Sequence, residues 1–106
     1  MEEVKVTIEV RRGPQGTDLK VSDFRVRQSE KELDESLKLL LRGGLKRKQI
    51  ELEVVVGPED KEEIVKKLHI PASFFFSPTK EPNVADLTEN AIRMGMHAYF
   101  MELPWS

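Results

Sequence analysis

A chain of 106 residues can bury one hydrophobic core and has little room for a second, so residues 1–106 read as a single α/β domain. With no cysteine, disulfides, thiolate catalysis and cysteine-held zinc are all excluded, and no apolar run approaches the roughly 20 residues that span a bilayer. The net charge of -2 conceals an asymmetry: residues 1–50 carry twelve Lys/Arg against nine Asp/Glu, and residues 51–106 carry five against ten.

Charged residues make up 34% of the chain while Asn and Gln together number five, a bias that suits ion-pair networks and chemical durability at high temperature, so a thermophilic source is expected. The opening "MEEVKVTIEV" is an amphipathic strand rather than a basic stretch leading into an apolar one, and a soluble, cytoplasmic chain is expected from it.

Val4, Val6, Ile8 and Val10 alternate with Lys5, Thr7, Glu9 and Arg11, the period of two of a half-buried strand. "RRGPQGT" is turn chemistry, and the return in "DLKVSDFRVR" has Leu19 and Val21 in one phase but Phe24 and Val26 in the other, which predicts a bulge near Ser22 or Asp23. The antiparallel register that follows sets Val10 beside Leu19, Ile8 beside Val21, Val6 beside Phe24 and Val4 beside Val26. It also opposes Glu9 to Lys20, Arg11 to Asp18 and Glu3 to Arg27, leaving Lys5 and Arg25 as the like-charged pair. The outer face thus reads as a solvated surface with cross-strand ion pairs. Nucleic-acid binding needs uncompensated positive charge and, for single strands, exposed aromatics. A reading based on Arg11, Arg12, Arg25, Arg27 and the Lys46, Arg47, Lys48 cluster is therefore kept only as the third functional alternative.

Ser29 and Glu32 have capping-box spacing, and Leu33, Leu37, Leu40 and Leu41 form an apolar stripe, predicting a helix from about 30 to 42. Gly43 and Gly44 then fall at its C-terminus, where glycine supplies a left-handed cap and the free groups are carbonyls. "LLRGGLKRKQ" accordingly reads as a helix stop whose cations complement the negative end of the dipole, and not as a phosphate loop. In "QIELEVVVG", Ile50, Leu52, Val54 and Val56 alternate, and the run of valines marks a central strand buried on both faces near its end.

Gly57 and Pro58 end that strand. Pro58, with Glu59, Asp60, Glu62 and Glu63 behind it and Ile64 and Leu68 turned inward, predicts a second helix. "IPASFFFSP" reads as the fourth strand: either a central one with Phe75 facing away from Phe74 and Phe76, which is preferred, or one with an exposed ring that marks an interface among Phe74, Phe75 and Phe76. Asn83 or Asp86 caps a third helix with Val84, Leu87, Ala91 and Met94 inward and Gly95 as its C-cap, and "HAYFMEL" closes the chain as a fifth strand. The expected fold is α/β: a mixed five-stranded sheet, made of the N-terminal antiparallel hairpin plus a parallel βαβαβ portion, with three helices in the order ββαβαβαβ.

In a parallel sheet, ligands bind beyond the carboxyl ends of the strands. That rule gathers Ser77, Thr79, Lys80, Asn83 and Trp105 into a candidate cleft for a small anionic or planar ligand. The competing reading makes 77–83 an ordinary connection, with Trp105 pinning the C-terminus. His69 and His97 fall at the opposite edge. "MGMHAYFM" offers soft donors, but methionines at such positions are normally core filling, and neither metal nor cofactor is expected. There is no Gly-x-Ser-x-Gly elbow, and Glu51 and Glu53 share an exposed strand face with no evident acid/base environment, so no catalytic residue is assigned. The leading expectation is a non-enzymatic protein-binding or self-assembly domain, a homo-oligomer or a partner of another protein, using a sheet edge or its Phe/Trp surface. The alternative is a small-ligand sensor or enzyme using the 77–83 loop and Trp105.

Overall fold

A computed structural model describes residues 4–10, 21–56 and 63–102. Strand β1 (Val4–Val10) is followed by β2 (Phe24–Val26), helix α1 (Glu30–Leu41), β3 (Gln49–Val56), β4 (Glu63–Pro71) and helix α2 (Val84–Glu102). One mixed sheet of four strands has the order β2-β1-β3-β4, with β1 and β3 parallel at its centre and both outer strands antiparallel to their neighbours.

The alternation in β1 and β3 organises the interior. Val4, Val6, Ile8, Val10, Ile50, Leu52, Val54 and Val56 all turn to one face, where they pack with Leu33, Leu37 and Leu40 of α1 and Leu87, Ala91 and Tyr99 of α2. Lys5, Thr7, Glu9, Glu51 and Glu53 lie in the other phase and give the sheet a polar face. Val55 belongs to that phase yet is buried along with Val54 and Val56, so the end of β3 is covered on both sides as its sequence implies. Phe24, Tyr99 and Phe100 stack edge-on or tilted, with ring centroids 5.5–5.8 Å apart, where β2 meets the end of α2.

Helix α1 follows its sequence signals. Ser29 Oγ accepts from the Glu32 amide at 3.2 Å, and Glu32 Oε1 accepts from the Ser29 amide at 3.2 Å, a complete capping box. At the other end Gly43 and Gly44 have φ of 80° and 91°, where a side chain would be strained. Lys48 Nζ donates to the Leu39 carbonyl, placing a cation on the carbonyl end of the helix.

The rest of the expected architecture is corrected: among the described residues the sheet has four strands and there are two α-helices, not five strands and three helices. The expected second helix is β4 over Glu63–Pro71, although Pro58, Glu59, Asp60 and Glu62, which suggested it, lie outside the described residues. Ile64 and Leu68 fit a helical stripe, but the β-branched Ile64, Val65 and Ile70 favour a pleated strand. Pairing along β3 supplies the tertiary context that selects it. A register shift at Val54/Val55 explains why no clean alternation runs through β4.

The expected fourth strand "IPASFFFSP" contributes only Ile70 and Pro71 to β4 before a 3-10 turn over Ala72–Phe75. "HAYFMEL" is not a strand, because α2 runs unbroken through Gly95 to Glu102. Among the described residues only β1 and β3 pair in parallel, so the βαβαβ portion is replaced by a single crossover carried by α1 and a β3–β4 hairpin. The hairpin register also differs: Val10 lies opposite Phe24 and Ile8 opposite Val26, with a 3-10 turn at Val21–Asp23 where the bulge was expected.

Candidate functional site

Strand β4 is nine residues long and, among the described residues, forms one edge of the sheet and pairs with β3 alone. Its inner neighbour is fully engaged, since β3 pairs with both β1 and β4. The opposite edge strand, β2, is three residues long. An edge of this length carries a row of backbone donors and acceptors directed away from the sheet, which is a template for another strand.

Helix α2 runs beside that edge and leaves a groove of about 720 Å³ between itself and β4. Leu68 and Ile70 from the strand and Met94 and Ala98 from the helix give it apolar walls, and Phe74 stands at one end. Phe74 is 67% exposed, the most exposed of the large apolar side chains described. The turn that presents it is held by Asn90, whose Nδ2 donates to the Phe75 carbonyl at 2.6 Å, and by the Ala72 amide, which donates to the Lys48 carbonyl at 2.8 Å. Phe74 is therefore displayed from a braced segment. Every titratable side chain lining the groove is basic or imidazole: Lys66, His69, Arg93 and His97.

A second, larger hollow of about 980 Å³ lies between β2, the start of α1 and α2, with Val26, Leu33, Val84, Ile92 and Met96 on its floor. Its rim mixes Arg25 and Arg93 with Glu30 and Glu89. It thus offers a ligand no consistent sign of charge.

The polar face of the sheet is a lattice of paired charges. Glu9 accepts from Arg27 Nε at 2.5 Å and from Arg25 Nε at 2.9 Å, and the Arg27 hydrogen bond foremost, followed by the Arg25 contact, holds its carboxyl below the usual carboxylate range against the opposing cost of burial. Lys5 lies 3.1 Å from the buried Glu53 carboxylate, which raises its pKa chiefly through a hydrogen bond. Lys67 reaches Glu51 and Glu53 at 3.8 and 4.0 Å. Beside them Gln28 closes a pair of hydrogen bonds with Thr7, accepting from its amide at 2.9 Å and donating to its hydroxyl at 3.3 Å. These partners differ from those expected from the sequence, because the hairpin register differs. Arg25 and Arg27 still have carboxylate partners, whereas Arg11 and Arg12 lie outside the described residues.

The residues nominated from sequence divide sharply. Phe75 and Phe76 are buried in the core, leaving Phe74 as the exposed ring of the three. Ser77 and Thr79 bond to each other through their hydroxyls at 2.9 Å, and Asn83 caps α2 by accepting from the Asp86 amide at 2.8 Å. Lys80 is exposed, and none of Ser77, Thr79, Lys80 and Asn83 lines either hollow. Trp105 lies outside the described residues.

His69 and His97 were expected at the sheet edge opposite the 77–83 cleft. They sit instead within β4 and α2 and line the same groove, and no cluster of three or more potential metal ligands occurs among the described residues. The groove walls Leu68, Ile70 and Arg93 had not been singled out as site residues. The period-two spacing of Lys66, Leu68 and Ile70 is a signal for the strand wall alone, and no sequence pattern pointed to Arg93.

Among the described residues no helix is long and apolar enough to cross a membrane. Comparison with protein-family models, curated proteins and solved structures finds no match to this chain.

Proposed function

We propose that this is a protein-binding domain without catalytic activity of its own, and that it receives an extended segment of a partner along the free edge of β4. In this arrangement the partner's backbone pairs with β4 and its alternate side chains enter the groove beside α2, as in strand addition generally. The observation that carries the reading is the exposed Phe74, held at the end of a nine-residue edge strand. A single exposed ring is ordinary, but Phe74 adjoins the apolar walls formed by Leu68, Ile70, Met94 and Ala98, and a contiguous apolar patch of this kind supports a contact surface. The small-ligand alternative at Ser77, Thr79, Lys80, Asn83 and Trp105 draws less support, since two of its hydroxyls and its asparagine are occupied in local hydrogen bonds.

The test is to pan a library of random displayed peptides against the chain and map the selected ones by amide chemical shifts. The expected perturbations lie along residues 66–70 of β4, and Phe74→Asp weakens binding. Peptides that instead perturb the 77–83 loop, and bind Phe74→Asp as well as the parent, overturn the reading.

A further inference from the structure

The hollow between β2, the start of α1 and α2 has a rim of both signs, and a surface of that kind matches itself. We infer that it is the contact between two copies of this chain, related by a two-fold axis that packs α2 antiparallel against its counterpart. Strand β4 contributes no residue to this hollow, so the contact is separate from edge docking.

The apolar part of the contact is a row along α2. Thr88, Ile92 and Met96 recur every fourth residue beside the hollow and are half-buried. Ile92 and Met96 pack against the core on their inner side and keep an outer side in water. The next row, Ala85, Glu89 and Arg93, is exposed and stands as a ridge along the edge of the hollow. A ridge beside a hollow is a shape that two copies interlock reciprocally, each ridge entering the other's hollow.

The charges favour a second copy as the occupant. Glu89 and Arg93 stand one helical turn apart, both exposed, and meet at 3.3 Å within the chain. Antiparallel packing reverses the order of residues along the partner helix. An axis level with the midpoint of this pair therefore sets Glu89 of each copy opposite Arg93 of the other. The isolated surface pair, weak by itself, becomes a network of four alternating charges. Near the axis Ile92 meets its own counterpart, and Met96 falls beside Ala85 of the partner, whose short side chain leaves room for it. The opposite rim also carries one residue of each sign, Arg25 and Glu30, so no block of like charge faces the partner.

The experiment measures the solution mass of the full chain by sedimentation equilibrium over a dilution series, for the parent, for Glu89→Lys, for Arg93→Glu and for an equimolar mixture of the two variants. The parent is expected to reach twice the chain mass, reversibly, and less readily as salt is raised. Glu89→Lys sets cation against cation at both symmetry-related places, and Arg93→Glu sets acid against acid. Each should weaken self-association about tenfold or more. Mixing the two variants should restore the dimer, because every 89–93 pair across the axis is then of opposite sign. Both positions are exposed on the helix, and circular dichroism unchanged from the parent separates loss of the dimer from loss of the fold. A parent that stays monomeric at millimolar concentration overturns the inference. So does a dimer that survives both substitutions, or one that the mixture fails to restore, and either result leaves strand addition at β4 to its own test.

Discussion

Gly95 of α2 rests directly on Ile8 of β1: a Cβ placed on the glycine would stand 2.8 Å from Ile8 Cγ1 and 3.0 Å from Cγ2. Ile8 is fully buried and branched at Cβ, so it has no flexible tip to move aside. The contact lets the helix approach the central strands closely. Gly95→Ala would gain about 1 kcal/mol of helix propensity and incur an overpacking cost of about 1–3 kcal/mol. The expected net effect is a loss of about 1 kcal/mol, read from the urea midpoint. In an Ile8→Ala background both γ carbons are gone, so the same glycine change should become neutral or stabilising. A Gly95→Ala protein more stable than its parent would show that α2 does not bear on Ile8 at this point.

The same glycine marks a limit of sequence reading. Leu87, Ala91 and Ala98 continue one buried stripe along α2, but a glycine among them resembles a C-cap equally well, and only the proximity of Ile8 separates the two. Strand β4 was obscured for a related reason. Ile64 and Leu68 satisfy a helical spacing, Leu68 and Ile70 a strand spacing, and the register shift opposite Val54/Val55 breaks the longer alternation that would have decided. Helix α1 and strand β3 were legible because each carries a local signal with one meaning: the Ser29/Glu32 box followed by the leucine stripe, and the valine run of a central strand. The groove was not legible, because its walls come from β4 and α2, the two elements whose identity the local pattern left open.

The three consecutive phenylalanines should separate cleanly under mutation. Phe75 is wholly buried, and Phe75→Ala is expected to cost about 3–5 kcal/mol through lost burial and the cavity left behind. Phe74→Ser should change stability by no more than about 0.5 kcal/mol, as exposed positions generally do. Denaturant unfolding of both variants gives the comparison. A large loss from Phe74→Ser would mean that its ring packs in solution, which would remove the surface on which edge docking depends.

Asn90 ties the phenylalanine turn to α2 through its hydrogen bond to the Phe75 carbonyl. Asn90→Leu keeps similar bulk but leaves that partly buried acceptor without its partner, for an expected loss of about 1–3 kcal/mol. The local consequence is more diagnostic than the global one. Amide exchange over Ala72–Phe76 should accelerate more than exchange in β3, because the turn loses one of its ties while the sheet keeps its ladders. Uniform acceleration across both would indicate that the turn opens only with the whole fold.

Glu9 should make stability depend on acid pH, with a definite sign. Its carboxyl is held below the ordinary carboxylate range in the folded chain, first by the Arg27 hydrogen bond and then by Arg25, so the folded state binds this proton less readily than the unfolded state does. The stabilisation is therefore fully present above the ordinary carboxylate pKa and is lost as pH falls through the lowered value in the fold. Glu9→Gln should reduce stability near neutral pH, and the gap to the parent should close progressively on acidification. Lys5 acts with the opposite sign. Its pKa is raised, chiefly by the hydrogen bond to Glu53, so its contribution is present below the ordinary lysine value and disappears as pH rises through the raised one. Lys5→Met should accordingly lessen the decline at alkaline pH and leave the acid limb unchanged. Added salt should shrink both differences, because the arginines and Lys5 are at least a third exposed and their charges are screened. A gap for Glu9→Gln that persists undiminished into acid would mean that the side chain stabilises β1 and β2 by its packing, with the ion pairs contributing nothing measurable.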